Sequence, residues 1–251
     1  MAGATREALL EPAFVLHGRD YRNSSLLLEL LARDHGRVGV VARGARGPRS
    51  RTAGLLQPFQ PLAVSWRARG DLGSLQAVES AGRAPRLTGR RLVSGFYANE
   101  LLMRLLGRED PHPGLFERYL EYLEALAGPT EEVITVRAFE RDLLAMLGYG
   151  LGLQSDVDGE PLVRAHWYRY DPDLGAVAVA GAQGAGVIVS GAILLDLALA
   201  DMPLAVARAS RGLMRAALAP HLGNRPLKSR ELYARYPVTG DTDHGPPSGQ
   251  S

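Results

Sequence analysis

From residue 12 to residue 80 the apolar positions come in short runs separated by turn residues, the spacing of strands rather than of helices. Phe14, Val15 and Leu16 form the first run, ended by Gly18, Arg19 and Asp20. "SSLLLELLARDHGRVGVVARG" holds two more, joined across Arg33 to Gly36 by a corner that suits a hairpin. Val38 and Val40 alternate with Gly39 and Val41, as on a half-exposed strand. Runs at Leu62 to Trp66 and Leu75 to Glu79 follow, and Pro58 and Pro61 keep the start of the first off a central position. Five short strands with regular turns predict a small barrel or sandwich.

Near Leu92 the period becomes helical. Leu92, Phe96, Leu101, Leu102, Leu105 and Leu106 share one face of "RRLVSGFYANELLMRLLG", which stops at Gly107. "GLFERYLEYLEALAG" repeats the pattern between Pro113 and Gly128, and "PTEEVITVRAFERDLLAMLGYG" starts at Thr130 with Glu131 and Glu132 in its first turn. Residues 148 to 191 are rich in glycine, with a strand pair predicted at Val163 to Tyr170 and Ala176 to Ala180. Helical signals return at Gly191 to Leu199, at Leu204 to Leu218 and in "KSRELYARY". The pattern thus predicts an α+β chain with a β-domain over 1–84 and a mostly helical domain over 85–236. The helical part carries a small irregular or β insertion around 150–190, and the tail over 237–251, having almost nothing to bury, is expected to be disordered.

Composition narrows the class. With 46% apolar and 22% charged residues the chain suits a globular protein, and 251 residues leave room for two modest domains. There is no cysteine, which removes disulfides and thiolate zinc sites. No run approaches the roughly 18 apolar residues of a spanning helix, and "MAGATREALLEPAF" has no signal-peptide core. A cytoplasmic protein without a membrane partner is expected.

The net charge of +2 hides a division: residues 1 to 91 hold 15 arginines and 7 acids, whereas residues 92 to 251 hold 14 bases and 20 acids. A basic domain joined to an acidic one suggests that a polyanion meets only the first. Its centre is "RVGVVARGARGPRSR", five arginines with no acid. Arg43, Arg46, Arg49 and Arg51 fall between two predicted strands, among Gly44, Gly47 and Pro48, where guanidiniums can lie along a phosphate backbone. Arg19, Arg22, Arg37, Arg67 and Arg69 sit in or beside turns of the same domain, and Trp66 is a candidate stacking face. The competing reading is a solvated loop, with Trp66 in the core.

Other motifs carry less. "GAQGAG" does not fit a dinucleotide loop and reads as a turn. The six histidines lack metal-ligand spacing, no nucleophile elbow occurs, and Glu117, Glu121 and Glu124 line a solvated helix edge. No catalytic site, cofactor or metal is expected.

"AFVLHGRDYRNSSLLLELLARDHGRVGVVARGAR", "LQPFQPL", "GFYANELLMRLL", "FERDLLAMLGYG" and "LKSREL" together resemble the bacterial RecO family of DNA repair and recombination mediators, in its order and over nearly the whole chain. The resemblance implies an N-terminal OB-fold barrel followed by a helical domain. It also implies a non-enzymatic protein that binds single- and double-stranded DNA and anneals complementary strands. The implied partners are the acidic C-terminal tail of single-stranded DNA-binding protein, RecR, and through them RecA. Some branches carry a four-cysteine zinc site after "LGY"; here Ser155, Asp156, Val157 and Asp158 follow, and local order is expected to come from packing.

By the resemblance, Arg43 and Arg46, continued by Arg49 and Arg51, match the basic loop of the barrel. For an acidic tail, a cation beside an apolar groove is needed; Arg137 and Arg141 are the candidates, with Leu144 and Leu147 as walls, against pairing with Glu140 or Asp142. Lys228 and Arg230 are read as capping or stabilising the last helix. A protein-interaction scaffold with only incidental DNA binding is the alternative, and a nuclease would need clustered acids that the sequence does not display.

Overall fold

The computed structural model describes residues 10–47, 50, 52–68 and 72–236. Arg49, Arg51, Arg69 and the tail over 237–251 therefore lie outside the described residues. Five strands, β1 (Glu11–Tyr21), β2 (Ser25–Ala32), β3 (Gly36–Ala42), β4 (Leu62–Arg67) and β5 (Gly73–Ser80), close into a barrel of order β1-β2-β3-β5-β4. All pairings are antiparallel except β3 with β5. Side chains of alternate residues point to opposite faces. Ala13, Val15, Leu28, Leu30, Val38, Val40, Leu62 and Val64 thus fill the barrel, while Phe14, Leu16 and Leu31 face outward.

Those outward residues are not exposed. They join one core with helices α1 (Gly89–Leu105), α2 (Leu115–Ala127) and α3 (Glu132–Met146), in which Phe14 packs 5.2 Å from Phe116 and 5.1 Å from Tyr119. Burial on both faces is why β2 reads as an apolar run interrupted at Glu29 rather than as an alternating one.

"GFYANELL" on α1 is the junction. Phe59 of "LQPF" adopts φ 68°, and Gly95 leaves the space it occupies, since a Cβ there would stand 2.9 Å from the Phe59 ring. Asn99, buried, donates to the Leu16 carbonyl at 3.0 Å, satisfying a group freed by the register shift between Val15 and His17, and accepts from the Tyr119 hydroxyl.

Beyond α3 a three-stranded sheet of order β7-β6-β8 forms from β6 (Trp167–Asp171), β7 (Gly175–Val179) and β8 (Val187–Ser190). The pattern anticipates the first two; β8 is a short apolar run after "GAQGAG", too short for periodicity to separate from loop. Helices α4 (Gly191–Leu197), α5 (Leu204–Ala209), α6 (Arg211–Leu222) and α7 (Ser229–Ala234) complete the body. The single helix predicted over Leu204 to Leu218 is two, divided at Ser210, whose buried hydroxyl donates to the Ala207 carbonyl at 3.4 Å.

The segment at 154–162 is ordered by hydrogen bonds more than by packing. Asp156 Oδ1 accepts from the Asp158 and Glu160 amides at 3.0 Å each, while Leu162 is its buried anchor.

Candidate nucleic-acid interface

The basic stretch begins as an anchored turn. Gly44, at φ 69°, allows the chain to reverse, and the Gly47 amide donates to the Gly44 carbonyl at 3.0 Å. Ala45 is buried in the barrel core, and the Arg46 amide donates to the Ser24 carbonyl of the β1–β2 turn at 2.9 Å. With Ala45 pointing in, Arg43 and Arg46 project outward beside Arg22 and the end of β1. Arg19, Arg22, Arg43 and Arg46 are all exposed at this one end. Asp20 accepts from the Arg46 guanidinium at 2.8 Å, and the Arg22 guanidinium lies 5.3 Å from the Tyr21 ring centre. Among the described residues, four cations against one acid make this end an anion-attracting surface.

The remaining barrel candidates lie elsewhere. The stagger of a closed barrel carries the last residues of β4 to the opposite end. Half-buried Trp66 meets His35 of the β2–β3 turn edge-on, ring centres 5.2 Å apart, and exposed Arg67 follows it. Arg37 is not available at all. Its guanidinium donates to Glu29 at 2.9 Å and to the carbonyls of Met103 and Leu106 at 2.7 and 3.0 Å, tying β3 to the end of α1. Buried Glu29 also accepts from Arg108. Burial would raise the Glu29 carboxyl pKa, but the hydrogen bonds and charges of Arg108 and Arg37 outweigh it and hold the group below its ordinary value.

The helical candidates divide similarly. Arg137 pairs with buried Glu140, which also accepts from the Tyr97 hydroxyl, while Arg137 Nε lacks a partner. Burial, with the charge and hydrogen bond of Glu140, pushes the Tyr97 hydroxyl well above its ordinary value and keeps it a donor. Leu144 is fully buried and offers no wall to a partner; Leu147 is half-buried at the C-cap of α3. Arg141 donates to Asp142 at 2.7 Å and to the carbonyls of Leu197 and Leu199 at 2.8 and 2.9 Å. It does line a shallow cavity of about 410 Å³, whose apolar walls are Ala145, Leu151, Leu153 and Ala198. Of the walls missed in the sequence, Leu151 and Leu153 come from the loop after α3, where no helical period marks a face.

"LKSREL" also has a different role from the one expected of its cations. Glu100 of α1 accepts from the Lys228 and Ser229 amides at 2.9 Å each and from the Ser229 hydroxyl at 2.8 Å, so a carboxylate of "ANELL" caps α7. Lys228 and Arg230 stay exposed. Among the described residues no three His, Asp or Glu gather as a metal site would require, and no helix is long and apolar enough to cross a membrane.

Fold and site together define an α+β class: an OB-type barrel with one cationic end, its outer face sealed onto a helical body. The family profile described as Recombination protein O N terminal matches residues 8–83, and the one described as Recombination protein O C terminal matches residues 86–231. The chain belongs to the Recombination protein O family. It is similar to the "DNA repair protein RecO" of Halorhodospira halophila, 48% identical over 89% of this chain and 95% of that one. The protein of the same name from Alkalilimnicola ehrlichii is 49% identical over 90% of each chain, and that of Stutzerimonas stutzeri 47% over 90% and 94%.

Proposed function

We propose that this chain is a non-enzymatic mediator of DNA repair and homologous recombination. It binds single- and double-stranded DNA, anneals complementary strands and helps load RecA on DNA coated with single-stranded DNA-binding protein. The observation that carries the reading is the cationic end of the barrel in a member of the Recombination protein O family. Arg43 and Arg46 flank a buried alanine and stand clear of the helical body, while α1 and α2 cover the outer face of β1 and β2. Phosphates of two strands held at such a surface repel each other less, and base pairing proceeds without a covalent step. Arg49 and Arg51, which follow in the sequence, are proposed to contact the same DNA, and Arg67 with Trp66 forms a separate contact at the far end.

The acidic tail of single-stranded DNA-binding protein docks in the cavity beside Arg141, with Leu151 and Leu153 as its apolar walls. RecR is the partner that couples the chain to RecA, and the protein acts in the cytoplasm, associated with the nucleoid during repair. The test is annealing of complementary oligonucleotides coated with single-stranded DNA-binding protein at several salt concentrations. Arg43, Arg46 and Arg49 all changed to Ala should slow it strongly; wild-type annealing by that variant would reject the assignment.

A further inference from the structure

The helical domain is acidic in total but not throughout. Residues 92 to 201 hold 7 bases and 17 acids, whereas residues 202 to 230 hold 6 bases and no acid. Within that stretch Val206, Leu213, Met214 and Leu218 turn inward, and Arg208, Arg211 and Arg215 are exposed. They fall three and four residues apart. The turn at Ser210 does not break their alignment, because the Ser210 amide donates to the Val206 carbonyl and the Met214 amide to the Ser210 carbonyl, each at 2.9 Å. Among the described residues no ion pair engages Arg208 or Arg215. The positions between and beside them, Ala205, Ala209, Gly212 and Ala219, are small and exposed. The face is therefore cationic, and small side chains rather than large apolar ones lie among its guanidiniums.

We propose that the α5–α6 face, carried by Arg208, Arg211 and Arg215, is a second nucleic-acid backbone site, separate from the barrel end. It rests on the reading of the chain as a DNA-binding protein. An acidic peptide is recognised by a cation beside an apolar pocket; a phosphate backbone needs only a row of guanidiniums and close approach, which alanine and glycine permit. Two such surfaces on one chain let it hold two strands, or two segments of one strand, at once.

The test is a salt titration of binding to a single-stranded oligonucleotide by three full-length chains: wild type, Arg208→Ala/Arg211→Ala/Arg215→Ala, and Arg43→Ala/Arg46→Ala. Each lost phosphate contact on a single strand lowers the slope of log affinity against log salt by about 0.7. The triple variant should lose roughly 2 from the slope, and the corresponding triple Lys variant should keep it. Should the triple Ala variant lose its helical circular dichroism, Arg208→Ala/Arg215→Ala serves instead, with a loss of roughly 1.4. A wild-type slope in these variants overturns the proposal, as does loss of binding to a polyglutamate peptide with the DNA slope unchanged. Failure of the barrel reading looks different: the Arg43/Arg46 variant keeps the wild-type slope while the α5–α6 variant does not.

Discussion

Arginines at the end of the barrel and arginines against the helical body are the same side chain put to opposite uses. Arg22 and Arg43 stand on turns exposed to water, and among the described residues Arg46 meets Asp20 and turn backbone. In the body, Arg37 takes the terminal carbonyls of α1, Arg91 those of Leu126 and Gly128 after α2, Arg141 those of Leu197 and Leu199 after α4, and Arg104 those of Leu222, Arg225 and Pro226 after α6. The last carbonyls of a helix have no partner within it, and a guanidinium fork can satisfy two at once. An arginine within reach of a helix C-terminus is drawn into the fold, whereas Arg22 and Arg43, on turns at the barrel end, stay exposed.

The comparison breaks first at Glu140. Glu140→Ala leaves the Arg137 guanidinium buried without its carboxylate, and about 3–5 kcal/mol of stability should go, read by urea denaturation. DNA binding by the remaining folded protein should not change. A smaller effect is expected at Glu29. Because its folded pKa lies below the ordinary carboxylate value, the stability it provides is present above that value and lost as pH falls through and below it. Glu29→Gln should cost roughly 1–3 kcal/mol at pH 7 and flatten the acid limb of thermal stability against pH; an unchanged acid limb would refute the role.

Arg141→Ala should cost about 1–2 kcal/mol by uncapping α4, since its hydrogen bonds to two carbonyls are partly exposed to solvent. If it also weakens binding of an acidic, aromatic-ended peptide while Arg91→Ala does not, Arg141 serves both fold and partner. Smallest in stability is Arg43→Ala/Arg46→Ala, within about 0.5 kcal/mol of wild type, although its salt slope for single strands should be shallower by roughly 1.4. A stability loss as large as that of Arg141→Ala would erase the distinction between the two groups.

Much of the architecture is legible in the chain itself. Five strand runs, three long amphipathic helices and the change of period between Glu79 and Leu92 follow from spacing alone, and each appears close to its place. What the pattern misses is short or broken: β8, whose four residues carry no measurable period, and Ser210, whose hydroxyl divides a continuous helical signal. The site is less legible. Arg43 and Arg46 are exposed where the basic loop begins, but Arg37, five residues before Ala42, is enclosed by α1, and Leu144 lies on the buried face of α3.

By itself the sequence determines which segments fold as strand or helix, that the first part is cationic, and to which family the chain belongs, because periodicity, charge and motif order are properties of neighbours along the chain. Tertiary structure alone decides which end of the barrel an arginine occupies and whether its guanidinium is free. The stagger of a closed barrel separates Arg67 from Arg43, and the carbonyls that claim Arg37 lie 66 and 69 residues away.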